Sequence, residues 1–222
     1  INISVVTDLR LNARIESALR ERIIDGRMRF GSRISDKSLA EELGASRTPV
    51  REALLALRSE GLVVLRPQSG TFVFDPGAAE IGAICQLRGI MEAGALKIAS
   101  GIDRPAVVTE LSEIVSAASV AHADGDLASC EAFDTRFHET LVVLSRNTYL
   151  VDAYRGISGK VRALRSRLPA EADRVGRAVA QHRRIVDLVA VGRVADAEAE
   201  LTQHMQNVQA QLSVGGRATD AA

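Results

Sequence analysis

The chain has 222 residues, 46% of them hydrophobic and 3% aromatic, and its 28 Lys+Arg balance 28 Asp+Glu. That length suits two domains better than one, the hydrophobic share supports a buried core, and the scarcity of aromatics favours packed helices over a β-sandwich. No stretch approaches the ~18 consecutive apolar residues that span a bilayer. Asp8, Arg10 and Arg14 occupy the place of a signal peptide's apolar run, so a cytoplasmic protein with no membrane attachment is expected.

Taken in chain order, apolar residues first recur at Leu11, Ile15, Ala18, Leu19 and Ile23, one face of a helix over 8–25. Gly26 and Gly31 bracket the loop that ends it. Ser35 suits the N-cap of a short helix over 36–43, closed by Gly44. Ser46 suits the cap of the next helix, with Pro49 in its first turn, where a missing N–H costs little. That helix runs to about Glu60 and stops at Gly61. Two β-type runs follow, 62–65 and 71–74, joined as a hairpin by Arg66-Pro67-Gln68-Ser69-Gly70. Asp75-Pro76-Gly77 reads as a linker.

Beyond it six helices fit, over 78–100, 104–123, 126–144, 148–167, 170–190 and 194–213. Their breaks fall at Gly101, Asp124-Gly125, Asn147, Pro169 and Gly192. Cys85 and Cys130 sit inside helical patterns without any partner spacing and read as buried, reduced thiols. The expected fold is mainly α: an N-terminal winged helix-turn-helix over 1–74, a linker over 75–79, an all-α antiparallel helical bundle over 80–214, and a frayed tail over 215–222. Residues 1–74 carry 12 Lys+Arg against 9 Asp+Glu, and residues 75–222 carry 16 against 19. A mildly basic N-terminal part is compatible with nucleic acid, and placement decides.

Helix, short helix, tight turn, helix, hairpin is the order of a winged helix-turn-helix, whose second helix of the turn unit enters the major groove N-terminus first. Here that N-terminal turn is Ser46-Arg47-Thr48-Pro49-Val50-Arg51. Arg47 and Arg51, four apart, share a helix face, and an arginine fork addresses guanine O6 and N7 or clamps a phosphate. The hydroxyls of Ser46 and Thr48, with the free N–H groups of the helix start, suit phosphate oxygens.

The stretch Leu39-Ala40-Glu41-Glu42-Leu43-Gly44-Ala45-Ser46-Arg47-Thr48-Pro49-Val50-Arg51-Glu52-Ala53-Leu54, with Leu57, Glu60-Gly61-Leu62-Val63, Pro67 and Gly70 after it, closely resembles the DNA-binding domain of the GntR family. Ile24, Gly26, Gly31 and Ile34 fit upstream. The resemblance implies that Arg47 and Arg51 contact bases or phosphates with Ser46 and Thr48 assisting. It also implies that Lys37 lies near the backbone and that Gly70 of the wing approaches the minor groove.

Four histidines occur, His122, His138, His182 and His204. Asp134 and His138, at i and i+4, project from one helix face, and His182 and His204 fall mid-helix on two later elements. Three imidazoles and a carboxylate on one point would suit Zn²⁺, Ni²⁺ or Mn²⁺ better than Ca²⁺. Isolated helical histidines are also common as surface or core residues. The helical region resembles the C-terminal domain of the FadR subfamily of GntR regulators, the metal-containing FCD-type branch. That resemblance implies a metal held by Asp134, His138, His182 and His204, and leaves His122 at the surface.

It further implies a small carboxylate effector beside the metal and dimerisation through the helical domain. Arg88, in Arg88-x-x-x-Glu92, is the first candidate for binding the acid, with a structural salt bridge to Glu92 as its other role. Arg162 is the second candidate, with solvation alongside Arg165 and Arg167 as its plainer role. The expected function is a homodimeric transcriptional regulator, a repressor by family habit, on a palindromic double-stranded operator. Two alternatives stand beside it: a metal-dependent enzyme, for which no general base is evident, and a regulator in which the metal itself is the signal.

Overall fold

The structure, a computed structural model, describes the backbone of residues 3–168 and 171–219 and the side chains within 11–168 and 171–212. The chain forms two compact units, one of residues 1–77 with 156–167, the other of 78–155 with 168–222. The architecture is mainly α, with a small sheet in the first unit.

In the first unit, α1 (Ile3–Ile24), β1 (Arg33–Ile34), α2 (Asp36–Glu42), α3 (Arg47–Ser59), β2 (Val63–Arg66) and β3 (Gly70–Val73) follow in order. The hairpin expected over 62–74 is present as β2 and β3, and β1 adds a third strand, giving the antiparallel order β1-β3-β2. Arg66 pairs with Gly70 across the three-residue wing loop. In α3 the buried residues are Val50, Ala53, Leu54 and Leu57, the i, i+3, i+4, i+7 stripe of a helix with one wet face. They meet Ile15, Leu19 and Ile23 of α1, Leu39 and Ala40 of α2, and Leu62, Val63 and Val73 of the sheet in one core. Each fully buried aliphatic side chain there contributes ~1.5–3 kcal/mol. Gly61, at φ +70°, closes α3, and an added Cβ would strike the Lys160 side chain.

The second unit contains α4 (Ala78–Ala123), α5 (Leu127–Leu144), α7 (Ala172–Ala190) and α8 (Val194–Thr219). Helix α6 (Thr148–Arg165) contributes its first eight residues to this unit, and 156–167 belong to the first. The two helices expected over 78–100 and 104–123 are one kinked element, broken at Asp103 with φ −155° and ψ 78°. Asp103 Oδ1 accepts from the Ala106 N–H at 3.0 Å and so caps the second half. Pro105 then falls in a first turn, where no N–H is needed. The break expected at Pro169 lies outside the described residues, as do 220–222. Leu96, Leu111, Ile114, Phe137, Leu141, Ile185, Val189 and Leu201 form the core between α4, α5, α7 and α8. Cys85 and Cys130 are free and buried. Among the described residues no helix is long and apolar enough to cross a membrane.

Candidate nucleic-acid interface and metal centre

Helix α2 and the turn through Gly44 set the start of α3 at the surface, leaving Ser46, Arg47, Thr48 and Arg51 exposed while Val50 is fully buried. Ser46 occupies the N-cap position in extended conformation, but its side chain makes no capping hydrogen bond. The hydroxyl therefore does not cap α3 as the spacing suggested. Ser35 does cap α2, accepting from the Ser38 N–H at 3.2 Å.

Both candidate arginines converge on one carboxylate. Asp36 Oδ2 accepts from Arg51 Nε at 2.5 Å and from Arg47 Nη2 at 3.0 Å. Arg51 first and Arg47 second hold the Asp36 carboxyl below the usual carboxylate range. Lys37 is exposed one residue on, 3.9 Å from Glu41. Gly70, at φ +112°, sits where a Cβ would press on the Arg33 guanidinium. Arg33 and Arg66 are wing cations that the sequence reading passed over. Arg66 lies over the Phe72 ring at 4.6 Å, and Arg33 is carried in by β1.

In the second unit α5 supplies Asp134 and His138, α7 supplies His182 and α8 supplies His204, and one ligand atom from each lies within 4.8 Å of the others. The three imidazoles are at most 3% exposed. His138 Nε2 is 3.7 Å from Asp134 Oδ2, His182 Nε2 is 3.8 Å from Asp134 Oδ1, and His182 Nε2 is 3.3 Å from His204 Nε2. Burial, with His138 beside it, pushes the His204 imidazole down to about 3, so this ring is neutral. Phe137 stacks on His182 with centroids 4.1 Å apart and planes 9° from parallel, fixing that ring from behind.

The outer nitrogens of two rings are fastened. His204 Nδ1 meets Gln181 Oε1 at 2.9 Å, and His138 Nδ1 meets Glu92 Oε2 at 2.7 Å. Glu92 is fully buried, and its Oε1 also accepts from Arg88 Nε at 2.6 Å and Tyr154 Oη at 2.8 Å. Although burial alone would raise it, Arg88 and then His138 hold the Glu92 carboxyl well below the usual range. Burial and Glu92 push the Tyr154 hydroxyl upward, so it stays a donor.

These residues fit a divalent transition metal on two grounds. His138 Nε2 is buried without a hydrogen-bond partner among the described residues, and Zn²⁺ at ~2.1 Å from each donor would set such donors ~3–4 Å apart. Of the sequence candidates, Arg88 reaches this neighbourhood, buried and ion-paired to Glu92. Arg162 is not brought into it: it lies in the first compact unit with its guanidinium 3.2 Å from Glu21. His122 is half-buried rather than on the surface, its Nε2 on the Ala172 carbonyl at 2.9 Å. Nothing in the sequence pattern marks Tyr154, and Gln181 stands out there only in the motif around His182, not as the partner of His204.

Residues 83–207 match the FCD domain family, and residues 11–73 match the bacterial regulatory proteins of the gntR family. An HTH-type transcriptional regulator of Streptomyces ambofaciens, from an unstable DNA locus, is 33% identical over 91% of this chain and 85% of its own length. The gluconate operon transcriptional repressor of Bacillus licheniformis is 34% identical over 62% of this chain and 56% of its own. A solved transcriptional regulator structure from Rhodococcus sp. RHA1 superposes with TM-score 0.76 at 26% identity, covering 90% of this chain and 96% of that one.

Proposed function

Since this chain belongs to the gntR family of bacterial regulatory proteins and carries an FCD domain, it is a transcriptional regulator and not an enzyme, and we propose that it is a metal-dependent metabolite sensor. In this reading it represses from a palindromic operator in the cytoplasm. A small organic acid, bound beside a divalent transition metal in the helical unit, sets its affinity for that operator.

The observation that carries the proposal is the convergence of Asp134, His138, His182 and His204 from three helices. Three buried imidazoles and a half-buried carboxylate brought to one point form a donor set that suits Zn²⁺, Ni²⁺ or Mn²⁺. A bound ion would supply a Lewis-acidic anchor for a carboxylate. Arg88, buried and ion-paired to Glu92 beside His138, is the candidate cation for the acid's carboxylate. In the winged unit Arg47 and Arg51 read base edges, Ser46, Thr48 and Lys37 hold phosphates, and Gly70 lets the wing backbone approach the minor groove. An acid that binds one arrangement of the helical unit better than another shifts the DNA-binding equilibrium by that difference in affinity.

Two copies are expected on a twofold operator. The first half of α4 supports this, because Leu87, Ile90, Ile98 and Ile102 form an exposed apolar stripe at helical spacing. The gluconate operon repressor among the relatives supports repression.

The test combines elemental mass spectrometry of the purified protein with a thermal-shift screen of small carboxylic acids. Hits are then added to anisotropy titrations on a duplex selected from a random pool. One transition metal per chain, and an acid that both stabilises the protein and changes operator affinity, is the expected result. Absence of metal after reconstitution sinks the sensor reading. Operator affinity that follows added metal alone, with no response to any acid, transfers the signal to the ion.

A further inference from the structure

Resting on the metal-centre reading above, we propose that Glu92 is a positioning residue for that centre. It fixes His138 in the tautomer that carries its proton on Nδ1, so that the bare Nε2 faces Asp134, His182 and His204. Three observations carry this. Glu92 Oε2 lies 2.7 Å from His138 Nδ1, and a carboxylate can only accept, so Nδ1 supplies the proton. A neutral imidazole has one N–H, which leaves Nε2 as a lone pair. That atom is buried and makes no hydrogen bond among the described residues.

The orientation of Glu92 is itself fixed. Its Oε1 takes two donors, Arg88 Nε at 2.6 Å and Tyr154 Oη at 2.8 Å, from the preceding turn of α4 and from α6. Only Oε2 is left for His138. This separates position 92 from position 181, where the amide oxygen of Gln181 performs the same service for His204. At 181 a glutamine is sufficient because its oxygen can turn toward the ring. At 92 an isosteric glutamine would keep its oxygen on Arg88 and Tyr154, and its NH₂ would fall against His138 Nδ1. An NH₂ group can only donate, so the imidazole proton would be driven to Nε2, into the metal-binding point. Arg88 and Tyr154 act through Glu92, as the groups that decide which of its atoms the histidine meets.

The full-length protein, stripped by chelation, is titrated with Zn²⁺ against a chromophoric chelator, and its imidazole nitrogens are followed in the metal-free state by long-range ¹H–¹⁵N NMR. The wild type is expected to show His138 protonated on Nδ1. Glu92→Gln is expected to move that proton to Nε2 and to weaken Zn²⁺ by ~10–100-fold, the usual cost of losing an outer partner of a ligating histidine. Tyr154→Phe, which leaves the Glu92–His138 bond in place, keeps the wild-type tautomer. Should Glu92→Gln fail to fold with Arg88 uncompensated, Arg88→Met/Glu92→Leu removes the charge and the acceptor together, and is expected to lose the fixed Nδ1 proton and to weaken Zn²⁺ by a similar factor. A folded variant that binds Zn²⁺ as tightly as a tightly binding wild type overturns the inference alone. A wild type that takes up no divalent ion overturns the metal centre with it.

Discussion

Asp36 and Arg51, on neighbouring helices of the winged unit, are joined by a hydrogen bond of 2.5 Å from Nε to Oδ2, and the same oxygen holds Arg47. One acidic side chain thus sits at the centre of the face assigned to DNA and offsets part of its positive charge. Phosphates gain less from such a face than bare arginines would offer. Asp36→Asn is therefore expected to tighten binding to DNA of unrelated sequence and to steepen the dependence of log K on log salt by up to ~1. Anisotropy titrations on a random duplex across a salt series check this, and an unchanged slope would assign Asp36 to folding alone.

Arg47→Ala and Arg51→Ala should each weaken the selected operator by ~1–3 kcal/mol if the forks hold base edges. Their effect on unrelated DNA should be smaller. Equal losses on both duplexes would make them phosphate clamps.

Metal removal should lower stability. With free ion at ~1,000 times Kd, binding to the folded state adds ~4 kcal/mol, so chelation is expected to lower the thermal midpoint and added Zn²⁺ to restore it. His182→Ala should arrive without metal and ignore both treatments. Full occupancy in that variant would displace His182 from the ligand set.

Phe137 has a double role, in the core between the helices and against the His182 ring. Phe137→Ala is expected to cost ~3–5 kcal/mol by chemical denaturation of the metal-free protein. A loss below ~1 kcal/mol would mean the surroundings collapse into the space.

Ile90→Glu places a charge in the middle of the exposed stripe of α4. The variant is expected to sediment as a monomer and to lose most of its operator affinity while keeping its helical content. A dimer at micromolar concentration would move the twofold contact elsewhere.

The parts legible in the sequence were those written in short-range spacing. The α3 stripe of Val50, Ala53, Leu54 and Leu57 and the turn at Gly44 are local patterns, and both recur in the structure. Asp134 and His138 announced themselves by sharing a helix face, while His182 and His204 needed the family resemblance to be joined to them. Strand β1 was missed because the two residues Arg33–Ile34 carry no alternation to read. Gly101 marks the expected break between two helices, but the backbone breaks at Asp103, where a side-chain cap is available. Tyr154 was illegible in principle: it is 62 residues from Glu92, and only the packing of α6 on α4 joins them.

The closed set of bonds around Glu92 also constrains how this protein can drift. Removing any one of Arg88, Glu92 or His138 strands a buried charge or polar atom, and losses in such a set do not add. A lineage that abandons the arrangement has to cross states less fit than either end, so these positions are expected to persist together or be replaced together. Tyr154, bonded through an edge of the network, is the member that can change first.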